Sequence, residues 1–460
     1  MLSQFSNRLI MPDKFFRMII SIGFASVVVV IVIVASMIMQ DKQHYLLILP
    51  IAIIVGYLGF IFPQATLLVI VALIPMNSFA GFLGISKLVT LYKVLFPIAL
   101  LSLLLGRVTG RFRSLPFYAL DYWIIAWILL DCVLSIFAHD PLEAFNFTRR
   151  LISMGLLYFA ISRVFININW HVRLQKTIVF AALVSSLFSI FMSGDMPSPM
   201  DLERMTGATD TSPNIFAVSL IPPILLAIAF IMQKTSLVRI FFYMTIVLVL
   251  LLAFTLTYSR SAFLVFMIAG LAGLWIWRFK LTPKHWLGFG AGIVIVMFLI
   301  PSNFWDRIAT LTQVGSEGFV DYSLWRRENY IKVAAKMFVS APFFGVGPGN
   351  FLLLHGAAEY QPEPSLIGIA RQPHNAYLQV TTETGIAGLA IFISTLITAL
   401  KSSYKFLKIR DENFWLASAL FLSMTAYVVM GFFSHLLLDK NFWIILAMIR
   451  TLPELMPYQR

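Results

Sequence analysis

Arginines carry most of the chemistry that this sequence offers. Arg260 stands in LTLTYSRSAFLVF, where Tyr258, Ser259 and Arg260 make a very short turn between two apolar stretches. Arg326 and Arg327 are adjacent in SLWRRENYIKVAAKMF, and Arg371 shortly precedes His374 and Asn375 in RQPHNAYLQVTTETGIAGL. Arg204 opens a polar loop that continues through Thr206, Gly207, Asp210, Pro213 and Asn214. A guanidinium stays charged and offers a planar fork of donors that matches phosphate oxygens. The set reads as an anion site with a titratable imidazole beside it. Each piece also has a plainer reading. Arg260 could snorkel to lipid headgroups, the Trp-Arg-Arg segment could be a headgroup-facing helix, and the 204–214 loop could be an ordinary turn with an N-cap.

The neighbouring residues narrow the chemistry. Gly345, Gly347 and Gly349 alternate with Val346 and Pro348 in APFFGVGPGNF. No Lys-Ser/Thr follows and no strand–helix unit surrounds them, so a nucleotide loop is rejected in favour of a tight structural turn. Pro373 or Asn375 suits a helix start. That puts His374 near the N-terminus of an interfacial helix ending around Gly385. Glu383 lies about 13 Å further along such a helix, too far to touch His374 but able to orient an arginine. The outer carboxylates Asp201, Glu203 and Asp210 have no matching partner set, and the single cysteine, Cys132, supports neither a disulfide nor a thiolate site. No metal and no cofactor are expected.

The elements that must position these groups are membrane helices. The chain is 60% hydrophobic and only 12% charged, against roughly 45–50% and 25% in soluble domains. The excess comes in blocks long enough to cross about 30 Å of hydrocarbon, where the backbone must bond to itself. Fourteen candidate spans follow, at about 18–39, 45–62, 65–80, 89–105, 121–138, 151–167, 177–194, 214–232, 240–257, 261–277, 286–302, 385–404, 414–434 and 441–456. The first reads as a retained signal anchor, because its apolar run is long and no small-residue cleavage site follows. The net charge of +13 is explained by topology and not by nucleic acid. With the N-terminus inside, 20 of the 34 Lys and Arg fall on the inner side. Only 7 fall outside once the long loop, which translocates regardless of charge, is set aside. Both termini are then inside. The expected organisation is one all-α polytopic domain: spans in 1–302, a long outer-face (periplasmic) loop with short helices at 303–384, and the last spans in 385–460.

TYSRSA at 257–262, GVGPGNF at 345–351 and PHNAYLQVTTETGIAGL at 373–389, in this order, resemble the O-antigen ligase/O-antigen polymerase superfamily. The Arg-x-Thr-Gly…Pro-Asn pattern at 204–214 is similar to members that polymerise exopolysaccharide. The resemblance covers the second half of the chain. It implies a GT-C-like fold of about 12–14 transmembrane helices in the bacterial inner membrane, with the active site on the periplasmic face. It implies metal-independent glycosyl transfer from an undecaprenyl-diphosphate-linked glycan donor to a glycan acceptor, with inversion at the anomeric carbon. The lipid bilayer is a partner throughout, and a chain-length regulator is a further candidate. Arg260 would then stabilise charge on the leaving diphosphate. Arg326 or Arg327, with Arg204 and Arg371, would assist, beside Asn375. His374 would position or deprotonate the acceptor hydroxyl.

The 204–214 segment favours a polymerase that joins lipid-linked repeats. The alternative is a ligase that moves the finished glycan to lipid A core or another acceptor. A flippase or other transporter is the main non-enzyme rival. Transporters place ionisable groups at the bilayer midplane and repeat their halves. Here Asp131 is the clearest such charge, with Lys93 as its candidate partner, and no internal repeat is visible.

Overall fold

A computed structural model describes residues 57, 59–76, 91–110, 115–192, 205, 212–233, 236–283, 285–286, 288, 290, 292, 297–298, 305, 322–408 and 413–455. The expected spans 18–39, 45–62 and 286–302 lie wholly or mostly outside these residues, as does Arg204. The regular elements among the described residues are all helical. The chain divides into two compact units, Met1–Pro116 and Phe117–Arg460.

In the first unit, helix α1 (Pro63–Leu73) packs against α2 (Leu91–Val108). Pro63 occupies the first turn of α1, where its missing amide hydrogen costs nothing. Ser102 of α2 donates to the carbonyl of Phe60 at 2.5 Å, which satisfies a backbone acceptor just ahead of α1.

The second unit contains α3 (Ala119–Ile136), α4 (Pro141–Val164), α5 (Ile168–Met192), α6 (Pro213–Met232), α7 (Leu237–Thr255) and α8 (Arg260–Trp277). It continues with α9 (Tyr322–Ser340), the single turn α10 (Phe351–Leu354), α11 (Ala376–Leu407), α12 (Phe414–Met430) and α13 (Lys440–Leu455). Six of these are long and apolar enough to cross a membrane: α3, α5, α6, α7, α8 and α11. The chain is thus an all-α, multi-pass membrane protein. The expected span at 151–167 is the second half of α4, whose first half carries Glu143, Arg149 and Arg150. The expected spans at 414–434 and 441–456 appear as the shorter helices α12 and α13.

Helices α11 and α12 lie side by side at the centre of this unit. On one flank α11 packs against α3 and α13, and both of these pack with α4 or α12; on the other, α12 packs against α6 and α8. Side chains explain the first flank. The Trp127 ring of α3 stacks on Trp443 of α13 at 5.7 Å and meets Phe392 of α11 edge-on at 5.3 Å.

A buried ion pair ties α3, α4 and α13 together. Asp121 accepts from Arg450 Nε at 2.9 Å and from Tyr158 Oη at 2.8 Å, and lies 3.1 Å from Arg163. The Tyr118 amide adds a fourth partner at 2.9 Å. A lone buried carboxylate would cost several kcal/mol, and this many donors offset it. Arg163 and Arg450 therefore do more than orient the chain. Asp131 is buried within α3, where the Ser135 hydroxyl donates to its carbonyl oxygen and pairs with Thr148. The side chain of Lys93, its expected partner, lies outside the described residues.

Candidate functional site

The site is framed by a break in α11. Gly385 has φ 64° and ψ −162°, so the helix cannot continue its own hydrogen-bond ladder there. The segment 342–347 supplies the missing bonds. The amides of Val346 and Gly347 donate to the carbonyls of Thr382 and Glu383, both at 2.9 Å. In return the amides of Ile386 and Ala387 donate to the carbonyls of Pro342 and Phe343, at 3.0 and 3.3 Å. Glycine is required on both sides of this join. A Cβ on Gly345 would lie 2.3 Å from the Glu383 carbonyl carbon, and one on Gly385 would lie 2.3 Å from that of Phe343. The alternating glycines form the tight turn that their spacing predicts.

The turn between α3 and α4 closes over the same segment. His139 donates its amide to Val346, and Asn350 exchanges hydrogen bonds with the backbone of Asp140. Glu383 is buried beneath it, accepting from the Phe351 amide at 3.3 Å and from Gln379. Its contacts are with the glycine segment. It anchors that loop, and the Arg150 guanidinium is among the charged groups that act on it.

Helix α9 rests on this frame. Tyr330, Val333, Ala334 and Met337 are buried at helical spacing, and the last three pack with Val346, Phe351 and Leu354. Lys332 and Lys336 point outward, the former paired with Glu328 at 2.7 Å. Arg326 and Arg327 are half-buried, one turn before the buried stripe. The Arg327 guanidinium lies 5.4 Å over the ring of Phe433.

The head of α11 docks on the tail of α12. Asn375 caps α11, its side-chain oxygen accepting from the amides of Tyr377 and Leu378 at 2.9 and 3.0 Å. The Ala376 amide donates to Gly431 at 2.7 Å, and Tyr377 Oη donates to Val428 at 2.7 Å. His374, just outside the cap, has φ 47°, a left-handed conformation that a non-glycine residue holds only when its surroundings impose it. Its ring lies 5.5 Å from His435 and 6.0 Å from Tyr330.

Electrostatics unite the group. Burial, then the charges of His435, Arg327, Arg326 and Arg371, push the His374 imidazole down to about pKa 4. It is therefore neutral at physiological pH and can accept a proton. His435 is also lowered by burial. Arg371 acts on His355 as well, whose Nδ1 donates to the Ile369 carbonyl at 2.9 Å. The Arg371 Nε is buried without a hydrogen-bond partner among the described residues. No carboxylate is among the groups that act on His374.

Four of the expected site residues, Arg326, Arg327, Arg371 and His374, thus converge, and both members of the Arg326–Arg327 pair take part. The amide oxygen of Asn375 is occupied by capping. Arg260 belongs to a second cluster, at the head of α8. There Ser259 donates to Asn214 at 2.8 Å and caps α8 through the Ala262 amide, and the Met205 amide donates to Leu256. Met205 and Asn214, the described residues at either end of the polar segment, are therefore neighbours of the Ser-Arg turn.

Residues 245–393 match the O-antigen ligase family model. No curated protein matches the chain. The matched region is about a third of the 460 residues. It contains Arg260, the α9 arginines, the glycine segment, Arg371 and His374. His435 lies beyond it and was not singled out in the sequence. A lone histidine in the apolar run GFFSHLLLDKN carries no motif. Only the docking of α11 on α12 brings it to His374.

Proposed function

We propose that this protein is an inner-membrane glycosyltransferase of the O-antigen ligase type, moving a glycan from a lipid diphosphate to an acceptor hydroxyl at the outer face. The observation that carries this reading is the convergence of three guanidinium groups on one neutral histidine. Several half-buried cations with no carboxylate among the groups acting on His374 suit a polyanion such as a diphosphate. A neutral imidazole in their midst suits a general base.

In this mechanism Arg326, Arg327 and Arg371 hold the diphosphate oxygens, with Arg260 assisting from the head of α8. His374 takes the proton of the acceptor hydroxyl as its oxygen attacks the anomeric carbon. The bond from that carbon to the phosphate oxygen breaks, and the diphosphate leaves with the electron pair. The arginines stabilise the charge that develops on it. Attack opposite the leaving group inverts the anomeric centre. Asp439, near the start of α13, is raised to about pKa 6 by burial, and its side chain accepts from the Asn441 amide at 2.8 Å.

The ligase reading is preferred to the polymerase expectation. The matched family model bears the ligase description, whereas the polymerase expectation rested on the 204–214 segment, which lies outside the match. The test is the glycan profile of a deletion strain. Long polymer retained on its lipid carrier, and absent from the final acceptor, is the expected result. Single unpolymerised repeats on the carrier would restore the polymerase. Repeats trapped at the inner face would mean a flippase and would overturn glycosyl transfer altogether.

A further inference from the structure

A concavity with a cationic rim lies at the other end of α11. Lys405 is on the order of 30 Å along the helix from the break at Gly385 by rise alone. There α11 meets the start of α3 and the end of α13 around a cavity of about 590 Å³, within the usual size range of ligand pockets. Lys405, Lys408 and Arg450 line it, with no carboxylate among the lining residues. Leu120, Phe406 and Ile449 form apolar wall beside these cations.

The three cations differ in what they already hold. Arg450 is buried and fixed: it bonds Asp121, lies 3.8 Å from Glu454 and sits 4.3 Å over the ring of Tyr118. Its charge is largely shared. Lys405 and Lys408 are exposed at the rim, and they supply the surplus positive charge. Two of the contributing helices, α3 and α11, are long and apolar enough to cross a membrane, and the cavity lies at their ends. It therefore stands at the boundary between hydrocarbon and water.

We infer that this cavity binds the phosphate headgroup of an anionic phospholipid, the lysines holding the phosphate while the acyl chains lie along the apolar wall. A soluble anion would need the lysines but not the wall. Basic pockets between helices at this boundary are suited to such headgroups. The charge-based topology puts Lys405, Lys408 and Arg450 on the inner side, so the lipid would come from the inner leaflet.

The test is native mass spectrometry of the full-length protein in detergent, titrated with cardiolipin and with phosphatidylcholine. Cardiolipin should bind more tightly than phosphatidylcholine. Lys405→Ala/Lys408→Ala should weaken cardiolipin by roughly tenfold and leave phosphatidylcholine unchanged. Lys405→Gln/Lys408→Gln should behave alike, and Lys401→Ala, outside the lining, should bind as the parent does. Equal binding of the two lipids, parent-like binding by both double variants, or an equal loss in Lys401→Ala would overturn the site. Displacement by millimolar inorganic phosphate would overturn the lipid as its ligand.

Discussion

His374 and His435 face each other across the junction of α11 and α12, with ring centroids 5.5 Å apart. One belongs to the glycine-framed segment and the other to the turn after α12, so the pair reports directly on how those two elements dock. His374→Ala should lower kcat by about a hundredfold or more with the protein still inserted and abundant. His435→Gln should lower it less and should raise the His374 pKa toward its ordinary value. Transfer assays with a purified lipid-linked glycan check both, and parent-like rates in His374→Ala would remove the histidine from the mechanism.

The pH dependence follows from the sign of the shift. The imidazole of His374 is pushed down to about pKa 4, so the free enzyme keeps its base down to that region. The kcat/KM profile should stay flat from neutral pH to well below 6. Once an anion neutralises the arginines, their repulsion of the imidazolium weakens and the pKa rises. The acid limb of kcat should therefore lie at higher pH than that of kcat/KM. Coincident limbs near pH 6.5 would contradict the geometry.

Arginine cannot be replaced by lysine where two oxygens are held at once. Arg327→Lys and Arg371→Lys should each raise KM for the lipid diphosphate and lower kcat, with Arg→Ala only modestly worse. Full rescue by lysine would mean that simple charge suffices.

Much of the frame was legible in the sequence. Helix α6, expected at 214–232, runs Pro213–Met232, because its apolar run is bounded by Ser212, which caps it, and by Gln233. The helix start at Asn375 was legible for the same reason: a polar cap stands before a periodic segment. That both Arg326 and Arg327, and not one of them, act on His374 was not. Two adjacent arginines and two lysines stud α9, and the buried stripe of Tyr330, Val333 and Met337 leaves the arginines half-buried and the lysines exposed. The partners of Glu383 were not legible either: the backbone amides of the glycine segment and the Arg150 charge reach it from segments distant in sequence.

The join at Gly385 predicts a sharp contrast between glycines. Gly345→Ala places a Cβ against the Glu383 backbone at a left-handed residue and should cost about 1–3 kcal/mol for the strained backbone alone, and more for the contact. Gly270→Ala, with nothing within 4 Å of its new Cβ, should leave stability unchanged. Thermal unfolding in detergent distinguishes them, and equal melting temperatures would dissolve the contrast.

Asp121 offers a test of the far end. Asp121→Ala leaves Arg450 buried without its carboxylate and should cost about 3–5 kcal/mol. Abundance and melting temperature should fall while activity per folded molecule is retained. A variant as stable as the parent would mean that the arginine finds another anion.

Beyond the glycines at 345 and 385, the four main-chain bonds that bridge the break in α11 ask little of side-chain identity. The frame can therefore stay constant while the stretch between its anchor points, residues 355–369, drifts in sequence. A scaffold built this way can vary its surface there without disturbing the frame that holds His374 in place.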